Sequence, residues 1–420
     1  MLKNTLIYTS SSIISSAIPF LLLPVLTRLL SPEEYGQVAM FTIFTTALAA
    51  FVGLSVHGAA GRRYFDDDVT SRLLARFNAN CLLILFVSTI FSVLTLSLLD
   101  DLVALYLGVS VYWIYLGILS VFCGFLLNIR LGLWQVRGKA KHYGITQIAN
   151  ALIGFSLSIL LVVCLALGAE GRIYGIVIAS VLIGTISILS LKKDKLILFE
   201  YSKEDIQEAL AFGVPLIPHV LGGFLLLSVD RLVINQELGL EMTGIYMVAV
   251  SFGSAFNIVF NSINNAYVPW LFGQLKEGGA ERKYRIVKYT YFYFLFLLVM
   301  SFLAFYVAPP ILRLVVGESF YTAAESFPII ILGQVFFGMY LMVTNYIFYV
   351  KKTKCLSIVT IVSGLINLGL LLIFIPYFGI IGAALAFMLA NFIRFIVTWF
   401  VASRVCSMPW NLLQKKLSSS

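Results

Sequence analysis

Long apolar runs alternate with short polar stretches along almost the whole chain. The runs fall at about residues 5–30, 35–60, 73–99, 103–135, 142–167 and 171–191. After a polar stretch from Lys192 to Glu208 they resume at about 209–236, 242–269, 285–308, 323–350, 355–375 and 379–403. Most are rich in Leu, Ile, Phe and Val over about 18 positions or more, the length an α-helix needs to cross about 30 Å of hydrocarbon. The pattern therefore predicts an all-α integral membrane protein with about twelve transmembrane helices. The first run continues to Leu30, too long for the core of a cleaved signal peptide, and reads as the first span. The run 103–135 exceeds one crossing, so Leu102 to Val109 are expected at the membrane interface. Pro309-Pro310 is expected to stop a helix, leaving Ile311 to Glu325 as a loop or a short interfacial turn.

Composition agrees with the pattern. Of 420 residues, 60% are hydrophobic and 12% charged, and the mean hydropathy is +0.97. These values exclude a disordered chain, a nucleic-acid-binding module and an ordinary cytosolic enzyme. The net charge of +9 changes meaning once its distribution is read. With the N-terminus taken as cytoplasmic, 23 of the 29 Lys and Arg residues fall on that side of the twelve spans, the Lys192–Glu208 linker and the tail's Lys415 and Lys416 among them. Acidic residues show no such bias. The asymmetry predicts a multi-pass membrane protein with both termini cytoplasmic, its charge serving topology and anionic lipid rather than nucleic acid. Four of the cysteines sit within apolar runs and Cys406 follows the last one. None forms a C-x-x-C pair, so no disulfide frame, metal site or cofactor is expected.

The two sets of six spans echo each other. Thr27-Arg28-Leu29-Leu30 closes the first span and Asp230-Arg231-Leu232-Val233 the seventh. Gln135-Val136-Arg137-Gly138-Lys139 follows the fourth, and Tyr349-Val350-Lys351-Lys352-Thr353 the tenth. Ile173-Tyr174-Gly175-Ile176 opens the sixth and Ile380-Ile381-Gly382-Ala383 the twelfth. The nearly constant offset predicts two pseudo-symmetric six-helix bundles, residues 1–191 and 209–403, joined by a cytoplasmic linker at 192–208 and followed by a tail at 404–420. Because six is even, both halves face the same way, as in transporters with a central cavity between parallel repeats.

The stretch Leu26-Thr27-Arg28-Leu29-Leu30-Ser31-Pro32-Glu33-Glu34-Tyr35-Gly36 resembles the N-terminal signature of bacterial polysaccharide exporters, as does Asp230-Arg231 followed by Gly244-Ile245-Tyr246. These are the Wzx-type flippases, in the superfamily that also holds the multidrug and toxic-compound extruders (MATE) and the lipid II flippases. The resemblance implies a MATE-like, V-shaped pair of bundles working by alternating access. It also implies that the substrate is an undecaprenyl-diphosphate-linked oligosaccharide moved from the inner to the outer leaflet, in O-antigen-like or other lipopolysaccharide assembly. Further implied partners are membrane lipids, a polysaccharide polymerase and a chain-length regulator. Substrate-contacting residues vary in this family, so no single site carries over.

Ionisable groups inside spans cost roughly 2.5–3.5 kcal/mol on insertion scales, so each needs a role. Asp230 and Arg231 lie near the outer end of span seven, with Arg28 at the matching place in span one. Either they form an ion pair across the halves that locks an outer gate, or the arginines snorkel to headgroups. Arg130 and Arg394 lie toward the inner half of spans four and twelve. There a phosphate-bearing headgroup would need positive charge, although snorkelling also fits. Span eight carries Asn257, Asn261, Asn264 and Asn265 with Ser254, mostly on one helical face. That amide stripe suits sugar hydroxyls lining a cavity, or hydrogen bonds between helices. His219 lies among Pro215, Pro218, Gly222 and Gly223 in span seven, as a proton-coupling group or a packed partner.

Two rival functions remain open. A small-molecule or drug exporter of the same superfamily would be expected to have an apolar, acidic cavity, whereas the charges inside these spans are mostly Arg. A membrane enzyme of polysaccharide assembly, a polymerase or ligase, would be expected to carry a large outer loop with catalytic residues. No Ser-His-Asp grouping, metal-ligand set or phosphate-binding glycine loop appears in the sequence, so no catalytic residue is expected.

Overall fold

The computed structural model describes residues 2–66, 70–352 and 354–411. Lys415 and Lys416, and the side chains of Lys3 and Lys354, lie outside the described residues. The regular structure is helical: α1 (Leu2–Leu29), α2 (Pro32–Leu48), α3 (His57–Arg63), α4 (Ser71–Ser97), α5 (Asp100–Leu107), α6 (Val111–Val136), α7 (Ala140–Ile159), α8 (Gly168–Lys193), α9 (Lys203–Gly213), α10 (Ile217–Leu227), α11 (Val229–Glu277), α12 (Ala280–Val315), α13 (Ala323–Tyr349) and α14 (Lys354–Val405). Ten helical segments among the described residues are long and apolar enough to cross a membrane. Two further crossings come from α2, which at 17 residues is just short of a full span, and from α14, whose 52 residues fold at Gly379 into two arms. Span seven is built from pieces, α9, α10 and the start of α11 up to a kink at Gly239, beyond which α11 continues as span eight. About twelve crossings result.

The helices divide into two compact units: Met1–Phe224 with Ile234–Met247, and Leu225–Val233 with Val248–Ser420. In the first unit α1 packs on α7, and α8 packs on both α6 and α7. The start of α2 explains the Ser31-Pro32-Glu33-Glu34 motif. Ser31 Oγ accepts the Glu34 N–H at 3.2 Å while Glu34 Oε2 accepts the Ser31 N–H at 2.8 Å, a reciprocal cap with proline in the first turn. The two glycines of the motif pieces meet here. A Cβ on Gly36 would lie 2.1 Å from the Leu240 carbonyl oxygen, and one on Gly244 would lie 1.9 Å from that of Pro32. Only glycine permits that backbone-to-backbone approach. In the second unit α13 is the buried core helix, packed between α12 and α14, with Met339, Val343, Tyr346 and Ile347 all but inaccessible.

Several boundaries differ from those expected. The second apolar run, 35–60, is not one helix. It leaves helical geometry after Leu48, passes through Gly53, Leu54 and Ser55 at φ of +77°, +47° and +59°, and resumes at His57. Ser88 Oγ on α4 accepts the freed Gly53 N–H at 2.8 Å, so the break is satisfied by a polar neighbour inside the bundle. The run 103–135 separates into α5 and α6. Pro309 and Pro310 do not stop α12, which continues to Val315. Arg172 lies within α8 and donates to Ser158 Oγ on α7 at 2.6 Å. The 192–208 linker groups with the first unit, because Arg76 on α4 holds Asp205 through Nε and Nη2 at 2.9 and 3.2 Å. Asn78 Nδ2 and Asn80 Nδ2 also reach the linker carbonyls of Leu196 and Glu200, each at 3.0 Å.

Candidate functional site

The buried charges of the two units have different surroundings. In the first unit, α6 ends in a left-handed turn: Gly138 has φ +68°, and Lys139 N–H reaches back to the Trp134 carbonyl at 2.8 Å. The end of α8 repeats it, with Lys195 at φ +53° and Leu196 N–H on the Leu191 carbonyl at 3.0 Å. These turns bring Arg130, Arg137 and Lys139 to Asp194. Arg130 Nη2 donates to Asp194 Oδ2 at 2.5 Å and to Ser190 Oγ at 2.7 Å, and its guanidinium carbon lies 4.3 Å from the Trp134 ring centre. Arg137 and Lys139 stand farther out, at 3.9 and 3.8 Å from the same carboxylate oxygen. The hydrogen bond from Arg130 holds the Asp194 carboxyl below its ordinary value. Arg130 is thus buried but paired.

Arg394 in the second unit is buried with no acid beside it among the described residues. It lies eleven residues before Val405 in the second arm of α14, about 16 Å from that helix end at 1.5 Å per residue. Its side chain faces α13, with the guanidinium carbon 3.8 Å from the Tyr340 ring centre and 6.0 Å from that of Phe337. Among the described residues it has no carboxylate partner, and its Nε is buried without a hydrogen bond. A desolvated cation–π contact contributes about 2 kcal/mol, against an insertion cost of roughly 2.5–3.5 kcal/mol. The aromatic faces offset most of that cost and supply no counter-charge.

The amide stripe of span eight divides. Asn264 turns inward, its Oδ1 accepting from Asn345 Nδ2 at 2.7 Å. Exposed Asn261 donates to the Asn257 carbonyl one turn earlier, and Asn257 Oδ1 is buried without a partner among the described residues. Asp230 and Arg231 are buried at 1% and 7% exposure and engage each other at 3.1 Å. They flank the break at Ser228, where Arg231 Nη1 also bonds the Leu227 carbonyl and Asn367 Nδ2 takes that of Leu225 at 3.0 Å. Arg28 and His219 are exposed. Asp194, Trp134, Tyr340, Asn345 and Asn367 join these groups only in three dimensions. Trp134 lies one turn from Arg130 and was within reach of an i, i+4 reading, whereas Asp194 is 64 positions away.

The family described as "Polysaccharide biosynthesis protein" matches residues 1–274. The chain is 25% identical over 392 residues to the "Lsg locus putative protein 1" of Haemophilus influenzae, covering 91% of this chain and 94% of that one. It is 27% identical over 395 residues to an "Uncharacterized membrane protein" of the same organism, with the same coverage. Among solved structures, the inward closed form of the lipid II flippase MurJ superposes with a TM-score of 0.75 at 16% identity, over 96% of this chain and 88% of that one. An inward-facing MATE family multidrug resistance transporter of the MOP superfamily gives 0.74 at 16% identity, over 98% and 96%. At that identity the likeness establishes the fold: a MATE-like transporter architecture.

Proposed function

The chain belongs to the polysaccharide biosynthesis protein family, and from that premise we propose that it flips undecaprenyl-diphosphate-linked oligosaccharide units from the inner to the outer leaflet of the cytoplasmic membrane. It is a multi-span membrane protein with the fold of flippase-like transporters. The finer reading is alternating access without covalent chemistry, both termini cytoplasmic, serving O-antigen-like or other lipopolysaccharide assembly beside a polymerase and a chain-length regulator.

The observation that carries this reading is Arg394, a mid-span cation with no carboxylate partner among the described residues. Fold likeness does not separate a glycolipid flippase from a drug exporter, since the two solved relatives superpose about equally well. The sign of the spare charge favours an anionic cargo over a cationic drug, because a guanidinium pairs with phosphate through charge-assisted hydrogen bonds. In this reading Arg394 meets the diphosphate and Asn257, Asn261 and Asn264 line the path of the glycan within the second unit, with the Asp230–Arg231 pair beside the break at Ser228 as a gate.

Reconstitution tests the reading. Proteoliposomes carrying a fluorescent polyprenyl-diphosphate oligosaccharide should expose it in the outer leaflet only when the protein is present. Export of cationic dyes without movement of the glycolipid would replace the reading with drug transport, and elongation or ligation of the glycan would replace it with an enzyme.

A further inference from the structure

The corner around Asp194 holds more positive charge than its own acid neutralises. Three cations, Arg130, Arg137 and Lys139, converge on that one carboxylate. The C-terminal ends of α6 and α8 add about half a negative charge each. About one positive charge is left over. The hydrogen bonds tell the same story. Asp194 is spent on Arg130, whereas Arg137 and Lys139 stand beyond hydrogen-bond distance of it. Among the described residues, Arg130 Nη1 and Arg137 Nη1 are both buried with no hydrogen-bond partner, and the Arg130 side chain is 2% exposed. Buried guanidinium nitrogens without acceptors are rare, because the lost hydration goes unreplaced.

The corner is nevertheless within reach from outside. The side chains of Asp194, Arg137 and Lys139 are 27%, 29% and 39% exposed, and Lys192, Lys193 and Lys195 beside them are exposed. Asn4 Nδ2 on α1 bonds the Gly138 carbonyl at 3.2 Å, which places the corner at the same end of the unit as the chain's start, where α6 leaves the membrane. The end of a spanning helix is also where lipid headgroup phosphates lie.

We infer that the Asp194 corner is a phosphate-binding site, in which the phosphate group of a membrane lipid bridges Arg137 and Lys139 and draws Arg130 away from Asp194. Asp194 is then the internal anion that holds the site when it is empty. The inference goes beyond the transport reading and stands without it, because the phosphate has two sources: bulk anionic phospholipid, or the lipid carrier of the cargo.

The test uses the full chain in phosphatidylcholine nanodiscs, with phosphatidylglycerol or a polyprenyl phosphate titrated in and bound lipid counted by native mass spectrometry. The wild type should retain both probes over phosphatidylcholine. Arg137→Gln with Lys139→Gln should weaken retention about tenfold, and Lys139→Arg should keep it. Asp194→Asn should strengthen retention several-fold, because it removes the competing anion and leaves an acceptor for Arg130. A corner that is only a structural ion pair gives the opposite pattern: equal retention in the wild type and the double variant, or weaker retention in Asp194→Asn. Either result overturns the site. Polyprenyl phosphate displacing phosphatidylglycerol would assign the site to the carrier, and failure to displace it would assign the site to bulk lipid. Glycolipid flipping is scored separately, so a protein that binds phosphate but does not flip refutes only the transport reading.

Discussion

Arg130 and Arg394 are alike in the sequence, each a lone arginine inside an apolar span, and alike in burial at 1% and 8% exposure. They differ in their partners. Arg130 has Asp194, Ser190 and the Trp134 ring, while Arg394 has two aromatic faces and no acid among the described residues. A paired buried charge costs stability when its partner is removed. An unpaired one costs stability while it stands, and persists where function needs it. Burial alone therefore does not tell the two arginines apart, and the neighbouring carboxylate does.

The sharpest way to break the comparison is to remove the carboxylate. Asp194→Ala leaves Arg130 buried without its acid and should lower stability by about 3–5 kcal/mol, measured by reversible unfolding in bicelles. Arg130→Met leaves Asp194 partly exposed beside Arg137 and Lys139, so its loss should be smaller, about 1–3 kcal/mol. Equal losses would mean that the carboxylate is not what holds the corner.

Arg394→Met inverts this pattern. Folded stability should hold or rise by up to about 1 kcal/mol, because an uncompensated charge leaves the bilayer interior. Glycolipid flipping in proteoliposomes should fall at least tenfold, the cost of about one charge-assisted hydrogen bond. A stable variant that flips normally would remove Arg394 from the transport path.

Acid titration sharpens the first arm. The Asp194 carboxyl is held below its ordinary value by Arg130, so its contribution is complete above the unfolded-state value of about 3.9 and disappears as pH falls through the lower folded-state value. The stability gap between wild type and Asp194→Asn should therefore stay constant from neutral pH to about 5 and close only in stronger acid. A gap that closes near neutrality would mean that Asp194 is not held by Arg130.

How much of this was legible in the sequence follows from the range of each interaction. Spans were legible because apolar length is a local property, and Pro215 and Pro218 did mark a break, a 3₁₀ turn at Val214–Leu216. The break after Leu48 was not, since its residues are mostly apolar and its N–H acceptor, Ser88, comes from another helix. Pro309-Pro310 misled in the opposite sense: proline costs a helix one hydrogen bond, and in a membrane-spanning helix, continuing around it is the less costly course. Arg130 and Arg394 were found as costly charges, but what distinguishes them is tertiary, a carboxylate at the end of α8 and a ring on α13.

The smallest effects come from the two turns that build the corner, and they should have opposite signs. Gly138 and Lys195 occupy the same position after α6 and α8, both left-handed at φ +68° and +53°. Gly138→Ala meets no obstacle, the nearest atom to the new Cβ being Asn4 Nδ2 at 3.8 Å. Its cost is therefore purely conformational, about 1 kcal/mol. Lys195 already bears that strain, so Lys195→Gly should gain about 0.5–1 kcal/mol in the same unfolding assay. It also removes an exposed cation from the rim, so the gain in stability should come with slightly weaker phosphatidylglycerol retention. If Lys195→Gly instead destabilised the protein, the lysine would be making a contact worth more than its backbone strain, and the two turns would no longer be equivalent.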